Sequence, residues 1–400
     1  MTQLTRRLAH DFLAACERIE VGRLRVRTPE GSLHTFGGPG PEAEMQIRDW
    51  AAVSALLARG DIGFGEGYVA GLWDTPELEP LVALGLLNEA AMRRYAFPSR
   101  WNGLVFRAVD RIVRRNSPKG ARRNIRAHYD VGNEFYGEWL DPGFTYSSAL
   151  FEGGDTDLER GQARKYDRIL DHLGGDGHSG DGHSRGGRSG DGRLLEIGCG
   201  WGGFAERAAG RGHDVTAITI SPSQHAYADA RLDGRADVRL CDYRATTGRY
   251  DGIVSIEMVE AVGERYWPGW FATLKARLAE GGTAMVQAIT VSDASFPAYR
   301  RGSDYIRHTT FPGGMLLCNR AIAEGAARAG LRADTPFAFG QDYAVTCRQW
   351  AARLAARSGR LGTLGYDAPT LRHWRYYLEA CAACFAVGRT DVVQVKLTHA

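Results

Sequence analysis

The sequence predicts an α/β protein in which a mostly parallel, doubly wound sheet follows a smaller amino-terminal domain. The first observation is a series of apolar runs, LLEIG (194–198), DVTAITI (214–220), ADVRLC (236–241), YDGIVSI (250–256) and TAMVQAIT (283–290), spaced to leave room for one helix each. Strands alternating with helices in this way form parallel sheets with helices on both faces. The second is a glycine-rich turn, 198–203, directly after the first run. Ligands of such sheets sit at the carboxyl ends of the strands. The third is length, since 400 residues exceed one average domain. Before residue 116 the pattern changes to short apolar runs broken by Gly and Pro.

Composition excludes several classes. With 44% hydrophobic and 24% charged residues, the chain lies in the globular range. A core of this size needs no disulfide or metal staple. No apolar run reaches the roughly 18 residues of a membrane span. Arg6, Arg7, His10 and Asp11 interrupt the amino terminus before a signal-peptide core forms, so a cytoplasmic protein is expected. Seven cysteines without a framework spacing fit a reducing compartment. Cys381 and Cys384 have metal or redox spacing, but no second pair or nearby histidine completes a site, and no metal is expected. A net charge of +3 leaves nucleic-acid or membrane arguments to local clusters.

Leu4, Leu8 and Phe12 recur at helical spacing and predict a short amphipathic helix that docks on its own domain. Segment 60–80, GDIGFGEGYVAGLWDTPELEP, reads as turns and short elements with aromatic anchors. Segment 111–126 carries seven basic residues and no acidic one, as a solvated linker or as a contact for anionic phosphate groups. The expected division is an accessory domain with linker at 1–115 and a catalytic domain at 116–400. Residues 174–193 hold nine glycines and no apolar side chain. Such a stretch cannot offset the entropy of ordering, and it reads as a flexible insertion.

The chemistry-bearing residues fall at successive strand ends. Glu196 precedes Gly198, Gly200 and Gly202, glycines that let backbone amides approach a ligand while the acid holds an ammonium group. The second strand ends in TIS without the ribose-binding acid of a dinucleotide fold, which favours S-adenosylmethionine over NAD. Thr219, Ser221 and Gln224 offer hydroxyl and amide groups to a ribose, and Asp242 offers a carboxylate to the adenine amino group. Singly, Ser221 also fits a helix cap and Asp242 a turn.

With these residues the chain resembles the cyclopropane-fatty-acyl-phospholipid synthase family, the mycolic acid cyclopropane synthases included. The matching stretches are HYDVGNEFY (128–136), TYSSA (145–149), EIGCGWGG (196–203), TISPSQ (219–224), DYR (242–244), the run 253–263, FPGG (311–314) and YYL (376–378). They cover most of 120–400 in order; the first hundred residues match only in the general character of a lipid-associated domain. The resemblance implies a Rossmann-like class I methyltransferase fold. It implies transfer of a methylene or methyl carbon from S-adenosylmethionine to the double bond of unsaturated phospholipid acyl chains, giving cyclopropane fatty acids, with a methyl-branched or methylated unsaturated chain as the alternative. Its implied cofactor-binding residues add Tyr146, Ser147, Trp201 and Tyr243 to those named above. The implied partner is acyl chain at the inner face of the membrane, with peripheral association, no nucleic acid, and room for a homodimer. The segment after Ser292 is expected to close over the cofactor as a lid and supply acyl contacts. Tyr305, Phe311, Trp374, Tyr376 and Tyr377 fit a core and an acyl tunnel equally.

An isolated alkene is a weak nucleophile, and its attack on an activated methyl leaves a carbocation that a dry, aromatic pocket can shelter. Product formation then requires a base. The resemblance implies a bound bicarbonate, held at Ser148, Glu260, Gln287, Ile289 and Tyr343. The family commonly has cysteine at the Ser148 position, histidine at Gln287 and histidine at Ala261. Serine and glutamine still offer donors to an anion, but glutamine takes up no proton. The departures leave cyclopropane and methylated products both open. An RNA methyltransferase lacks support, since no aromatic-and-basic RNA module accompanies the basic run. A non-enzymatic cofactor-binding scaffold would leave Glu260 and Tyr343 without a role.

Overall fold

In the computed structural model, residues 3–92, 95, 131–173 and 192–400 are described. The expected boundary at 115/116, the basic run 111–126, the motif residues His128, Tyr129 and Asp130, and most of the 174–193 insertion lie outside them. The chain forms two compact units, each discontinuous in sequence. One comprises Met1–Val113, Ala298–Pro312 and Ala344–Thr390; the other comprises Arg114–Pro297, Gly313–Tyr343 and Asp391–Ala400. This differs from two consecutive segments. Parts of the expected lid, 298–312 and 344–390, pack with the amino-terminal residues.

The first unit carries β1 (Arg23–Arg27), β2 (Leu33–Gly37), β3 (Glu42–Ile47) and β4 (Trp73–Asp74) in the order β2-β1-β3-β4. Alternation sorts their faces: Leu24, Val26, Ala43, Met45 and Ile47 are buried, while Arg23 and Arg25 pair outside with Glu42 and Glu44 across the parallel register. The helix Gln3–Cys16 buries Ala9, Phe12 and Cys16 in the same core, as a helix docked on its own domain does.

Among the short elements expected in segment 60–80, Asp61–Val69 is a helix despite Gly63, Gly65 and Gly67. Packing overrides propensity here. A methyl group at Gly63 would collide with the Ala55 carbonyl, and one at Gly65 with the Tyr305 ring, so the glycines admit close neighbours while Ile62 and Tyr68 fill the core. Tyr305 and Tyr376 join that core edge to face at 4.7 Å, and Trp374 meets Tyr377 at 5.7 Å.

The second unit is built on β5 (Arg193–Ile197), β6 (Asp214–Thr219), β7 (Asp237–Leu240), β8 (Tyr250–Ile256), β9 (Leu278–Val291), β10 (Leu331–Ala333), β11 (Phe337–Ala338) and β12 (Thr390–His399). Its 8-stranded sheet runs β10-β12-β9-β8-β5-β6-β7, with β11 paired to β12. Strands β5 to β9 pair in parallel, and β10 and β11 run antiparallel to β12. One face buries Leu195, Ile197 and Ile253 with Trp270 and Phe271 of the helix Trp267–Arg277. The other buries Leu194 and Val254 with Ile169 and Leu170 of the helix Leu158–Leu173 and Phe204 of the helix Gly203–Gly210. Helices on both faces make the sheet doubly wound. Strand order reverses between β5 and β8, and a ligand crevice opens at the carboxyl ends of strands flanking such a reversal.

Candidate active site

Chain geometry at the end of β8 decides the site. Glu257, the first residue after the strand, has φ 49°, the left-handed region, and its N–H donates to the Gln287 carbonyl of β9 at 2.8 Å. Its Oε1 accepts the Ser148 backbone N–H at 2.9 Å and Gln287 Nε2 at 2.8 Å. Its Oε2 accepts the Tyr343 hydroxyl at 2.5 Å. Gln287 is held in that orientation because its own Oε1 accepts Gln394 Nε2 of β12 at 3.0 Å. Ser148, Gln287 and Tyr343 are all buried.

Glu260, on the short helix Val259–Val262, lies within the electrostatic reach of Glu257. Its Oε1 accepts the Ile289 N–H at 2.5 Å, while Oε2 is buried with no partner among the described residues. Burial, followed by the charge of Glu257, pushes the Glu260 carboxyl up to about 8. Burial also raises Glu257, but Tyr343, Lys165, Ser148 and Gln287 oppose the rise. Of two adjacent carboxyls, the one with more donors ionises first. Of the two, Glu257 is therefore the more readily ionised and Glu260 the more readily protonated.

The residues assigned to bicarbonate do converge, but on a side chain the sequence reading passed over. Ser148, Gln287 and Tyr343 donate to Glu257, and the Ile289 amide is taken by Glu260. A second anion placed here would find these donors already committed and would lie beside two buried carboxyls. Bonded in this way, the set does not fit bicarbonate. The only sequence signal was a second acid three residues before Glu260.

The cofactor residues lie across the crevice at the end of β5. Gly198, Gly200 and Gly202 all have left-handed φ, and the space a side chain at Gly200 would enter is open. The Gly198 and Cys199 amides are bonded to Ile218 O, whereas the Gly200 amide has no partner among the described residues. Glu196 is buried, and burial pushes its carboxyl up to about 8 against the Ala205 backbone N–H and the charges of Lys165 and Arg231. Its Oε2 is an acceptor without a partner among the described residues. An open glycine cradle beside an unpaired buried carboxyl oxygen fits the amino-acid end of S-adenosylmethionine.

The remaining residues are partly committed to one another. Ser221 caps the helix Pro222–Leu232, accepting from Gln224 N, and Thr219 Oγ1 donates to Gln224 Oε1 at 2.9 Å. Asp242 is held by Arg244 through Nε at 2.8 Å and Nη2 at 2.7 Å. Tyr243 belongs to the sheet core. Trp201 donates to Asn133 Oδ1 at 2.9 Å, and its ring and that of Tyr146 both lie against Tyr136. The Ser147 hydroxyl accepts Lys165 Nζ at 2.6 Å.

Residues 116–395 match the family model described as mycolic acid cyclopropane synthetase. Over 389 residues the chain is 36% identical to the tuberculostearic acid methyltransferase UfaA1 of Mycobacterium tuberculosis, covering 94% of this chain and 87% of that one. It is 28% identical to the cyclopropane-fatty-acyl-phospholipid synthase of Escherichia coli, covering 89% of this chain and 88% of that one. Among solved structures it resembles the cyclopropane synthase MmaA2 of M. tuberculosis, with a TM-score of 0.62 and 27% identity over 69% of this chain and 97% of that chain. The mycolic acid cyclopropane synthase CmaA1, complexed with SAH and CTAB, matches with a TM-score of 0.62 and 26% identity over the same shares.

Proposed function

The chain belongs to the mycolic acid cyclopropane synthetase family and is an S-adenosylmethionine-dependent methyltransferase that modifies fatty acyl chains; from this premise we propose that it methylates the double bond of an unsaturated phospholipid acyl chain at a membrane surface, with Glu257 accepting the departing proton. The observation that carries the proposal is the Glu257 carboxylate, held by Ser148, Gln287 and Tyr343.

When bound, S-adenosylmethionine supplies an electrophilic methyl group on a sulfonium. The 198–202 loop and Glu196 hold its amino-acid end in this reading. The alkene carbon that takes the methyl leaves a cation on its neighbour, and that cation is discharged by loss of one proton. Direct loss from the added methyl closes a cyclopropane ring; loss after a hydride shift leaves a methylene branch. Either way the chain gains one CH2. A carboxylate has about four acceptor positions. Two on Oε1 are taken and one on Oε2 is used by Tyr343, which leaves Oε2 one position for the proton. Glu260, itself protonated, does not compete for it.

The relative matched over 94% of the chain is named a methyltransferase, which supports a methylated product. Ring closure is the second reading, favoured by the name of the matched family. The amino-terminal residues and the basic run serve, in this proposal, to hold the enzyme peripherally on phospholipid. The test is incubation of the purified protein and S-adenosylmethionine with vesicles of unsaturated phospholipid, followed by chromatography and mass spectrometry of the released acyl chains. The expected product gains one CH2 and still takes up hydrogen under mild hydrogenation. A product that gains one CH2 and resists hydrogenation establishes the ring, and no gain removes the proposed substrate.

A further inference from the structure

Lys165 has no task in the chemistry described so far, yet it is fully buried. It projects from the helix Leu158–Leu173, with its ammonium 4.5 Å from the centre of the Tyr166 ring and under the influence of the Glu257, Asp141 and Glu196 carboxyls. A buried charge persists only when its hydrogen bonds are met. Lys165 Nζ donates to Ser147 Oγ and to Gln162 Oε1, both at 2.6 Å. Gln162 Nε2 donates in turn to the Ser147 carbonyl at 2.9 Å. An ammonium is donor-only, so it dictates the orientation of the Gln162 amide and makes the Ser147 hydroxyl an acceptor toward it. Ser147 is thereby gripped at hydroxyl and carbonyl, and the next amide, that of Ser148, points at Glu257 Oε1.

We propose that Lys165 is a positioning residue for the methyl-transfer reaction: through Ser147 it fixes the Ser148 amide on Glu257, and its charge keeps Glu257 in the proton-accepting form. The proposal rests on the reading of Glu257 as the proton acceptor. The groups bearing on Glu257 are Lys165, Glu260, Tyr343, Ser148 and Gln287; those bearing on Lys165 are Glu257, Asp141, Glu196 and the Tyr166 ring. Asp141 is already bonded to the Gly143 and Thr145 amides, and Glu196 to the Ala205 amide with Arg231 nearby. Lys165 is the cation that bears on Glu257, as it also does on Asp141, whose carboxylate is otherwise met by backbone amides. Burial draws the Lys165 ammonium down to about 7 while Glu257 pulls it back, so the two charges sustain each other.

Lys165→Met removes the charge at nearly constant shape and suits a buried site. In folded protein, judged by thermal melting, kcat should fall about tenfold or more while KM for S-adenosylmethionine changes less than about threefold. Without the cation Glu257 binds its proton more tightly, so the acid limb of kcat should move to higher pH by about one unit. In Lys165→Met/Glu257→Gln the losses should not multiply: the double variant should be no slower than Glu257→Gln, within about twofold. Multiplying losses with an unmoved acid limb would overturn the inference. Gln162→Leu keeps the cation and cuts the grip on the Ser147 carbonyl, so it tests positioning even if Lys165→Met does not fold. A several-fold lower kcat at an unmoved acid limb is expected, and wild-type kcat overturns the positioning role. A fully active Glu257→Gln would instead refute the underlying reading of Glu257, whatever Lys165→Met does.

Discussion

Glu257 sits where a side chain is costly, because left-handed backbone disfavours non-glycine residues by roughly 1–2 kcal/mol. Three hydrogen bonds to its carboxylate offset that strain, and the turn aims the group away from the strand axis into the crevice. Tyr343→Phe tests how far these donors set its basicity. Loss of the hydroxyl removes a bond that stabilises the ionised form, so the Glu257 pKa rises. Activity requiring ionised Glu257 is then lost at higher pH than in the wild type. A hydrogen bond to a charged group is worth about 1.5–3 kcal/mol, so the acid limb of kcat should move up by on the order of one pH unit; an unmoved limb in a pH–rate profile would detach Tyr343 from the base. At this scale the sequence was legible in its donors and not in their acceptor. The resemblance implies an anion at Ser148, Gln287 and Tyr343, and the structure gathers them around the Glu257 carboxyl. Glu257 escaped because an acid at a strand end reads as a solvated cap until the left-handed turn is seen. Gln287 fits this arrangement as a neutral donor, since the proton has a carboxylate to go to.

The strands and the loops after them carry the cofactor argument. Gly200 combines left-handed φ with open space on its side-chain face, so Gly200→Val should abolish S-adenosylmethionine binding measured by calorimetry. The same substitution also strains the backbone, by roughly 1–2 kcal/mol. Gly281 in β9 has φ 75° and equally open surroundings, so Gly281→Val reproduces the strain away from the loop and should keep binding. Equal affinity in both variants would remove the loop from the cofactor site. The strands were the most legible part of the chain, since apolar runs of this kind have few alternatives: YDGIVSI coincides with β8 and LLEIG overlaps β5. β9 extends further back, to Leu278, through Gly281 and Gly282 that a propensity reading excludes. The helix Asp61–Val69 was illegible for the same reason. Its three glycines argue against a helix locally, and only the neighbours they admit explain it.

At the scale of the molecule, the division into units was beyond the sequence, because 298–312 and 344–390 join the amino-terminal residues through contacts hundreds of positions apart. Tyr305 illustrates this: its backbone N–H donates to Asp61 at 3.0 Å and its ring fills the notch left by Gly65. Of the aromatics that fit a core and an acyl tunnel equally, Tyr305 and Tyr376 thus contribute to a core. The residues proposed for the reaction are concentrated in the second unit, where the strand-order reversal brings the glycine loop after β5 beside Glu257 after β8. In the proposed function this unit completes acyl methylation with its own carboxylate. The most direct measurement is turnover on unsaturated phospholipid vesicles in carbon-dioxide-free buffer, with and without added bicarbonate, for the wild type and Glu257→Gln. A wild type indifferent to bicarbonate and a variant slowed about tenfold or more with cofactor affinity retained are expected; bicarbonate-dependent wild-type turnover together with an active Glu257→Gln would overturn the role of Glu257.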